Sequence, residues 1–423
     1  MKTTILLDHE PVADGGWLVR ALLKLEGEAG EPAAGRAPVN LGIVLDRSGS
    51  MAGPKLEAAR EAAAFLVRRL APDDVVSVVA YDDGVWTVAP PATGEAQQDL
   101  PERIEAIEAG GSTNLSGGWL RGRELVADGR ADGRINRVLL LTDGLANVGI
   151  TDPAQLVGLC ARAHETGIST TTIGFGEDYD ERLLRDMADA AGGNTYYIEA
   201  PDQAPAVFGH ELEGLLTLAA QNVSVTVRPG AGATLAASWH SYPSFDTPEG
   251  LRLELGDLYA REPKPLLLEF LVEGESEPMA VAELVVKATV LRADGTISAE
   301  ELALPIEVSR AGGAHVDPEV RREVLLLQAA RAREAALRAR ERGDDAGAAA
   351  MLRDLGAALA ASPMCLEDLD IAEEAADLQQ LADRAAAHGV SEADAKYLFQ
   401  RAHDATRGAR SRSRLISRRK PED

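Results

Sequence analysis

Residues 39–46, VNLGIVLD, form a nearly continuous apolar run. That pattern marks a strand buried on both faces of a parallel sheet. A helical pattern follows at 56–70, with Leu56, Ala59, Ala63, Leu66 and Leu70 on one face. Strands and helices then alternate. Strands are expected at 74–81, near 85–89, and at 136–144, 168–176 and 194–199. Helices are expected at 97–109, from the Gly-rich stretch 110–118 to about 127, and at 152–167, 179–193 and 203–220. Such alternation predicts a doubly wound, Rossmann-like α/β domain over 38–219.

The texture changes at Asn222. Short alternating segments such as NVSVTVRP, LRLELG and MAVAELVVKATVL are separated by turn residues. They predict an antiparallel β-sandwich over 220–312. Residues 1–30 also read as strands and are expected to join that sandwich, so that the α/β domain is inserted within it; the alternative is that they extend an edge of the α/β sheet. The Gly/Pro/Ala-rich stretch 28–38 reads as a linker. From Asp317 the pattern is helical. Asp317 suits an N-cap, Pro318 suits the first helical position, and helices are expected at 317–343, 344–361, 366–388 and 391–406. The end, 407–423, is basic and expected to be disordered; 401–423 carries eight Lys/Arg against three Asp/Glu.

Charge narrows the function. The 423 residues hold 43 Lys+Arg and 68 Asp+Glu, a formal net charge of −25. A chain this acidic is a poor partner for duplex nucleic acid, where neutralising phosphates dominates affinity. Two cysteines, Cys160 and Cys365, cannot build a disulfide framework and point to a reducing compartment. Ile5–Leu7 is too short for a signal-peptide core, and no apolar run approaches the roughly 20 residues of a transmembrane span. The expected location is the cytoplasm.

Three oxygen-rich loops carry the candidate chemistry. Asp46-Arg47-Ser48-Gly49-Ser50 follows the first α/β strand. Ser112-Thr113-Asn114 lies in the Gly-rich stretch. Thr142-Asp143-Gly144 follows the strand RVLLL. Ligands of open α/β sheets bind outside the carboxyl ends of the strands, so the loops should converge. They offer carboxylates and hydroxyls but no Cys or His, a donor set for Mg²⁺, Mn²⁺ or Ca²⁺ rather than Zn²⁺. Each loop alone also reads as an ordinary helix cap.

Together, VLDRSGSM, GGSTNL and LLLTDG resemble the von Willebrand factor A domain, over about 39–219. The resemblance implies a metal-ion-dependent adhesion site. Asp46, Ser48 and Ser50 would contact Mg²⁺, with Mn²⁺ or Ca²⁺ as alternatives. Thr113 would bind directly or through water, and Asp143 mostly through water. Asn114, Trp119 and Gly144 flank these loops and are the candidate partner-binding rim, although a tryptophan in that position is more often a packing residue. The resemblance implies a partner protein that supplies an Asp or Glu to the ion, and association with AAA-type ATPases or multiprotein assemblies. The wider layout is similar to bacterial proteins of this kind and to the inter-alpha-trypsin inhibitor heavy chain and calcium-activated chloride channel-like families.

Other signals carry less. Gly174-Phe175-Gly176 lacks the glycine spacing of a dinucleotide fingerprint, and no phosphate loop occurs. His210-Glu211 begins a zinc-protease motif that Gly214 breaks. Cys160 reads as core, and Cys365 has no nearby basic activator. Asp82-Asp83 reads as a turn, or as a second acidic cluster beside the site. The expectation is a metal-dependent protein-interaction module and not an enzyme. The alternatives are a Mg²⁺-dependent hydrolase, disfavoured because the loops lack a base and hold only Arg47 as a cation, and an assembly scaffold acting through its helices.

Overall fold

A computed structural model describes residues 1–13, 15–27, 37–93, 96, 98–131, 133–176, 179–260, 262–274, 277–292, 297–311 and 313–409. Most of the expected linker and the basic end after 409 lie outside the described residues. The described residues fall into two compact units.

The chain opens with β1 (Lys2–Pro11) and β2 (Trp17–Glu26), an antiparallel pair. It then enters the α/β unit through β3 (Val39–Asp46), α1 (Pro54–Val67), β4 (Val75–Tyr81), β5 (Val85–Thr93), α2 (Leu100–Glu105) and α3 (Leu115–Asp128). The unit continues with β6 (Ile135–Thr142), α4 (Pro153–Glu165), β7 (Ile168–Phe175), α5 (Glu181–Ala190), β8 (Thr195–Ile198) and α6 (Ala204–Leu216). Its six strands run in the order β5-β4-β3-β6-β7-β8, all parallel except β5. Every residue of β3, β4, β6, β7 and β8 is buried, which is why these strands read as apolar runs. Connections from β3 lead outward through β4, and the chain then returns to the other side of β3 as β6. The order therefore reverses between β3 and β6, and a crevice is expected at their carboxyl ends.

Several boundaries move. The helix expected over 203–220 ends at Leu216, where the Thr217 hydroxyl donates to the Glu213 carbonyl, and strand begins at Leu218. The apolar LTLAA run hid that break. At the other end of the α/β connections, Asp152 and Asp180 cap α4 and α5 as their sequences suggest.

The second unit contains two sheets. Its strands are β9 (Leu218–Pro229), β10 (Ala233–Ser238), β11 (Ser244–Thr247), β12 (Gly250–Tyr259), β13 (Lys264–Val272), β14 (Met279–Leu291) and β15 (Ile297–Val308). One sheet runs β1-β2-β13-β10, and the other runs β11-β12-β9-β14-β15. β2 pairs antiparallel with β13, from Lys264 opposite Leu25 to Val272 opposite Trp17. The helices are α7 (Pro318–Glu341), α8 (Asp345–Ala361), α9 (Met364–Glu367), α10 (Leu369–His388) and α11 (Glu392–Thr406). The expected helix over 366–388 is thus divided, because Asp368 caps a fresh start by accepting from the N–H groups of Asp370 and Ile371. Asp317 caps α7 in the same way. Val320 and Leu327 of α7 pack on Leu22 and Leu267 of the four-stranded sheet. Among the described residues, no helix is long and apolar enough to cross a membrane.

Candidate metal centre

Asp46 is the last residue of β3, and Thr142 is the last of β6, with Asp143 next. Both aspartates are fully buried. One oxygen of Asp46 accepts from the Ser48 N–H at 2.8 Å, and the other accepts from the Thr142 hydroxyl at 2.6 Å. Ser48 Oγ lies 3.2 Å from Ser50 Oγ, and Ser50 Oγ donates to Asp143 Oδ1 at 2.7 Å. Thr113 is buried just before α3, and its carbonyl accepts from the N–H groups of Asn147 and Val148. Gly144 lies against the same oxygens. A Cβ there would come 3.2 Å from Thr113 Oγ1 and 3.7 Å from Ser50 Oγ. The residues expected to hold a metal therefore lie in one oxygen cluster. Burial raises the pKa of Asp46 above the ordinary carboxylate value, and the hydroxyl of Thr142 and the donors of Ser48 offset part of that.

Asp82 knits the loops together. Its Oδ2 accepts from Arg47 Nη2 at 2.9 Å and from the Gly111 N–H at 3.1 Å; Oδ1 accepts from the Gly84 N–H at 2.8 Å. Burial opposes its ionisation, but the two backbone donors, a hydrogen bond with the Asp83 side chain and the nearby guanidinium outweigh it, so its pKa lies below the usual value. Further backbone bonds join Gly49 N–H to the Gly111 carbonyl and Gly110 N–H to the Arg47 carbonyl. Close approach requires glycine at 110, where a Cβ would fall 1.8 Å from Asp82 Oδ2. The Arg47 guanidinium also stacks on the exposed Trp86 ring, 4.0 Å from its centroid.

One expectation is corrected. Trp119, expected at the rim, is 1 % exposed and belongs to the core with Tyr81 and Val126. Its indole N–H donates to Thr170 Oγ1 at 3.1 Å, which satisfies the group that burial would otherwise strand. Asn114 is half-buried and caps α3 by accepting from the Gly117 N–H at 2.9 Å. Besides Trp86, Leu145 and Val148, which follow Gly144, are exposed apolar side chains near the site.

The sequence reading also missed a cation. Lys55, on the first turn of α1, donates to Asp143 Oδ2 at 2.6 Å. The spacing of nine residues from Asp46 was the available signal, but a lysine in a first helical turn ordinarily points to water. His210 and Glu211 do not form a metal group. The His210 ring meets the Tyr196 ring edge-on, and Glu211 is buried among hydrogen-bond donors. Among the described residues no group of three or more His, Cys, Asp or Glu side chains is gathered to hold a metal. Any ion at the cluster above therefore depends on hydroxyl oxygens as well as the two aspartates.

Comparison with known proteins follows the same boundaries. Residues 40–210 match the family model of the von Willebrand factor type A domain. An uncharacterised protein of Synechocystis sp., sll0103, is 29% identical over 75% of this chain and 78% of its own length. Human inter-alpha-trypsin inhibitor heavy chain H3 is 31% identical over 36% of this chain, but only 18% of that protein is covered. A solved structure, the von Willebrand factor type A protein from Catenulispora acidiphila, aligns over 90% of this chain and 89% of its own, with a TM-score of 0.68 at 21% identity. It shows a shared fold reaching well beyond the α/β unit. Von Willebrand factor type A domains are commonly metal-dependent protein–protein interaction modules. Over residues 40–210 this chain is similar to that domain.

Proposed function

We propose that the protein binds a partner protein through a divalent cation, Mg²⁺ in the first instance, held by Asp46, Ser48, Ser50, Thr113 and Asp143. The observation that carries this reading is the run of oxygens from Thr142 through Asp46, Ser48 and Ser50 to Asp143, anchored by two fully buried carboxylates. Burying two aspartates beside each other is costly unless positive charge or donors compensate. The donors are hard oxygens, which suits Mg²⁺, Mn²⁺ or Ca²⁺. The bareness of Gly144 keeps side-chain atoms off the Thr113 and Ser50 hydroxyls.

A dication with two protein carboxylates keeps coordination positions for an outside oxygen, and an Asp or Glu of a partner is the matching ligand. Asn114 and Gly144 would border that contact, with the exposed Leu145 and Val148 adding apolar area. The ion supplies Lewis acidity when bound; the chain's residues orient it and exclude water from one side. Binding rather than hydrolysis is the function proposed. A cytoplasmic setting, with an AAA-type ATPase or another multiprotein assembly as the partner, is part of this proposal.

Titration calorimetry with Mg²⁺ and Mn²⁺ on purified protein tests the metal. The expectation is one site, lost in Asp46→Ala and weakened in Ser50→Ala. Affinity capture from lysate with Mg²⁺, with EDTA and with Asp46→Ala then tests the partner. A partner retained in all three would move the function to the β or helical parts.

A further inference from the structure

Lys55 adds to the metal reading a feature that the ligand set alone lacks. Its ammonium lies 2.6 Å from Asp143 Oδ2, and that carboxylate is fully buried while the Lys55 side chain is 28% exposed. The position is built. Pro54 starts α1 immediately before Lys55, which fixes the first turn. Gly176, just past the carboxyl end of β7 with φ +69°, also lies against the lysine. A Cβ there would come 3.3 Å from both Cε and Nζ. The ammonium thus has both a carboxylate and a bare stretch of backbone close to it.

Resting on the metal reading above, we propose that Lys55 is a positioning residue that sets the charge of the centre and so divides its affinity between cation and partner. Asp46 and Asp143 together bring two negative charges, and Lys55 cancels one. A divalent ion bound there is attracted less strongly than it would be by two uncompensated carboxylates. The bound ion, in turn, keeps one net positive charge that a second anionic ligand can meet. Removing Lys55 should therefore tighten the cation and loosen the carboxylate that binds to it. Opposite signs distinguish this role from a merely structural one, since damage to the fold would weaken both.

The test uses the full chain with Mn²⁺ and, as the carboxylate probe, acetate. Mn²⁺ affinity is read by calorimetry, and acetate binding to the Mn²⁺-loaded protein by water-proton relaxation. Lys55→Met should bind Mn²⁺ more tightly and acetate more weakly, each on the order of tenfold or more, because one unit charge about 4 Å away is worth roughly fivefold in bulk water and roughly a thousandfold at a dielectric near 20, and Lys55 is partly exposed. Lys55→Arg should behave like wild type in both. Should the methionine variant fail to fold, Lys55→Gln carries the same comparison. Unchanged affinities, or changes of the same sign, would overturn the inference while leaving the metal site standing. Wild-type protein that binds no Mn²⁺ would overturn the metal reading itself.

Discussion

Glu211 offers a quantitative test of how the α/β unit is held. It sits on α6, 2 % exposed, and ties that helix to three strands. Its Oε1 accepts from the Thr171 hydroxyl of β7 at 2.6 Å and lies 3.7 Å from Arg137 Nη1 of β6. Its Oε2 accepts from Asn194 Nδ2 and from the Tyr196 hydroxyl, both at 2.8 Å. Arg137 is fully buried. Glu211→Ala removes the carboxylate from that guanidinium and from three donors at once. Breaking a buried pair by removing one partner costs about 3–5 kcal/mol. For a unit of this size each kcal/mol lowers the melting midpoint by about 2–4 °C, so a fall of roughly 10 °C is expected. Cys160 is buried in the same unit, and burial raises its thiol pKa well above the ordinary value. In a Cys365→Ser background, its labelling during a thermal ramp reports this unit alone. Replacing both charges, as Arg137→Met with Glu211→Met, should recover much of the loss, because no charge is left stranded. A midpoint within about 2 °C of the parent for Glu211→Ala would refute the reasoning.

Two further outcomes follow from packing. Gly118→Ala puts a Cβ 2.4 Å from the buried Tyr81 ring, where α3 presses on β4, and should cost about 2–3 kcal/mol in a urea melt. Gly209→Ala, in α6 with nothing within 4 Å, should instead stabilise by up to about 1 kcal/mol in the same assay. A thiol reagent at pH 8 should titrate one cysteine, Cys365, in native protein and two after denaturation, because Cys160 is both enclosed and held protonated by burial.

The features legible in the sequence were those with a local cause. β3 and β6 are enclosed on both faces, so their apolar runs stood out, and the loops carrying Asp46, Thr113 and Asp143 follow directly from strand ends or open a helix. Trp119 was open to both readings, packing and rim, since a residue one turn into α3 faces either the rim or Thr170 according to the helix's rotation, and it packs. Lys55 was missed because its partner lies 88 positions away. Asp82 looked like half of an acidic turn, and only the loop crossing set by Arg47, Gly84 and Gly111 makes it a brace. The end of α6 at Leu216 was hidden because the residues on both sides of Thr217 are apolar.

The pairing of β2 with β13 bears on the order of events during synthesis. Leu25 meets Lys264, so the N-terminal hairpin emerges about 240 residues before the strand that completes its sheet. At about 5–20 residues per second, that interval lasts roughly 12–48 s. All the strands of the α/β unit are made within it, and their contacts are nearer in sequence, so this unit closes first. Meanwhile Leu22, Leu23 and Leu25, all destined for the interior, wait without their sheet partner. The nascent chain thus carries an unprotected apolar edge through most of its translation, and that edge is where a ribosome-associated chaperone would act.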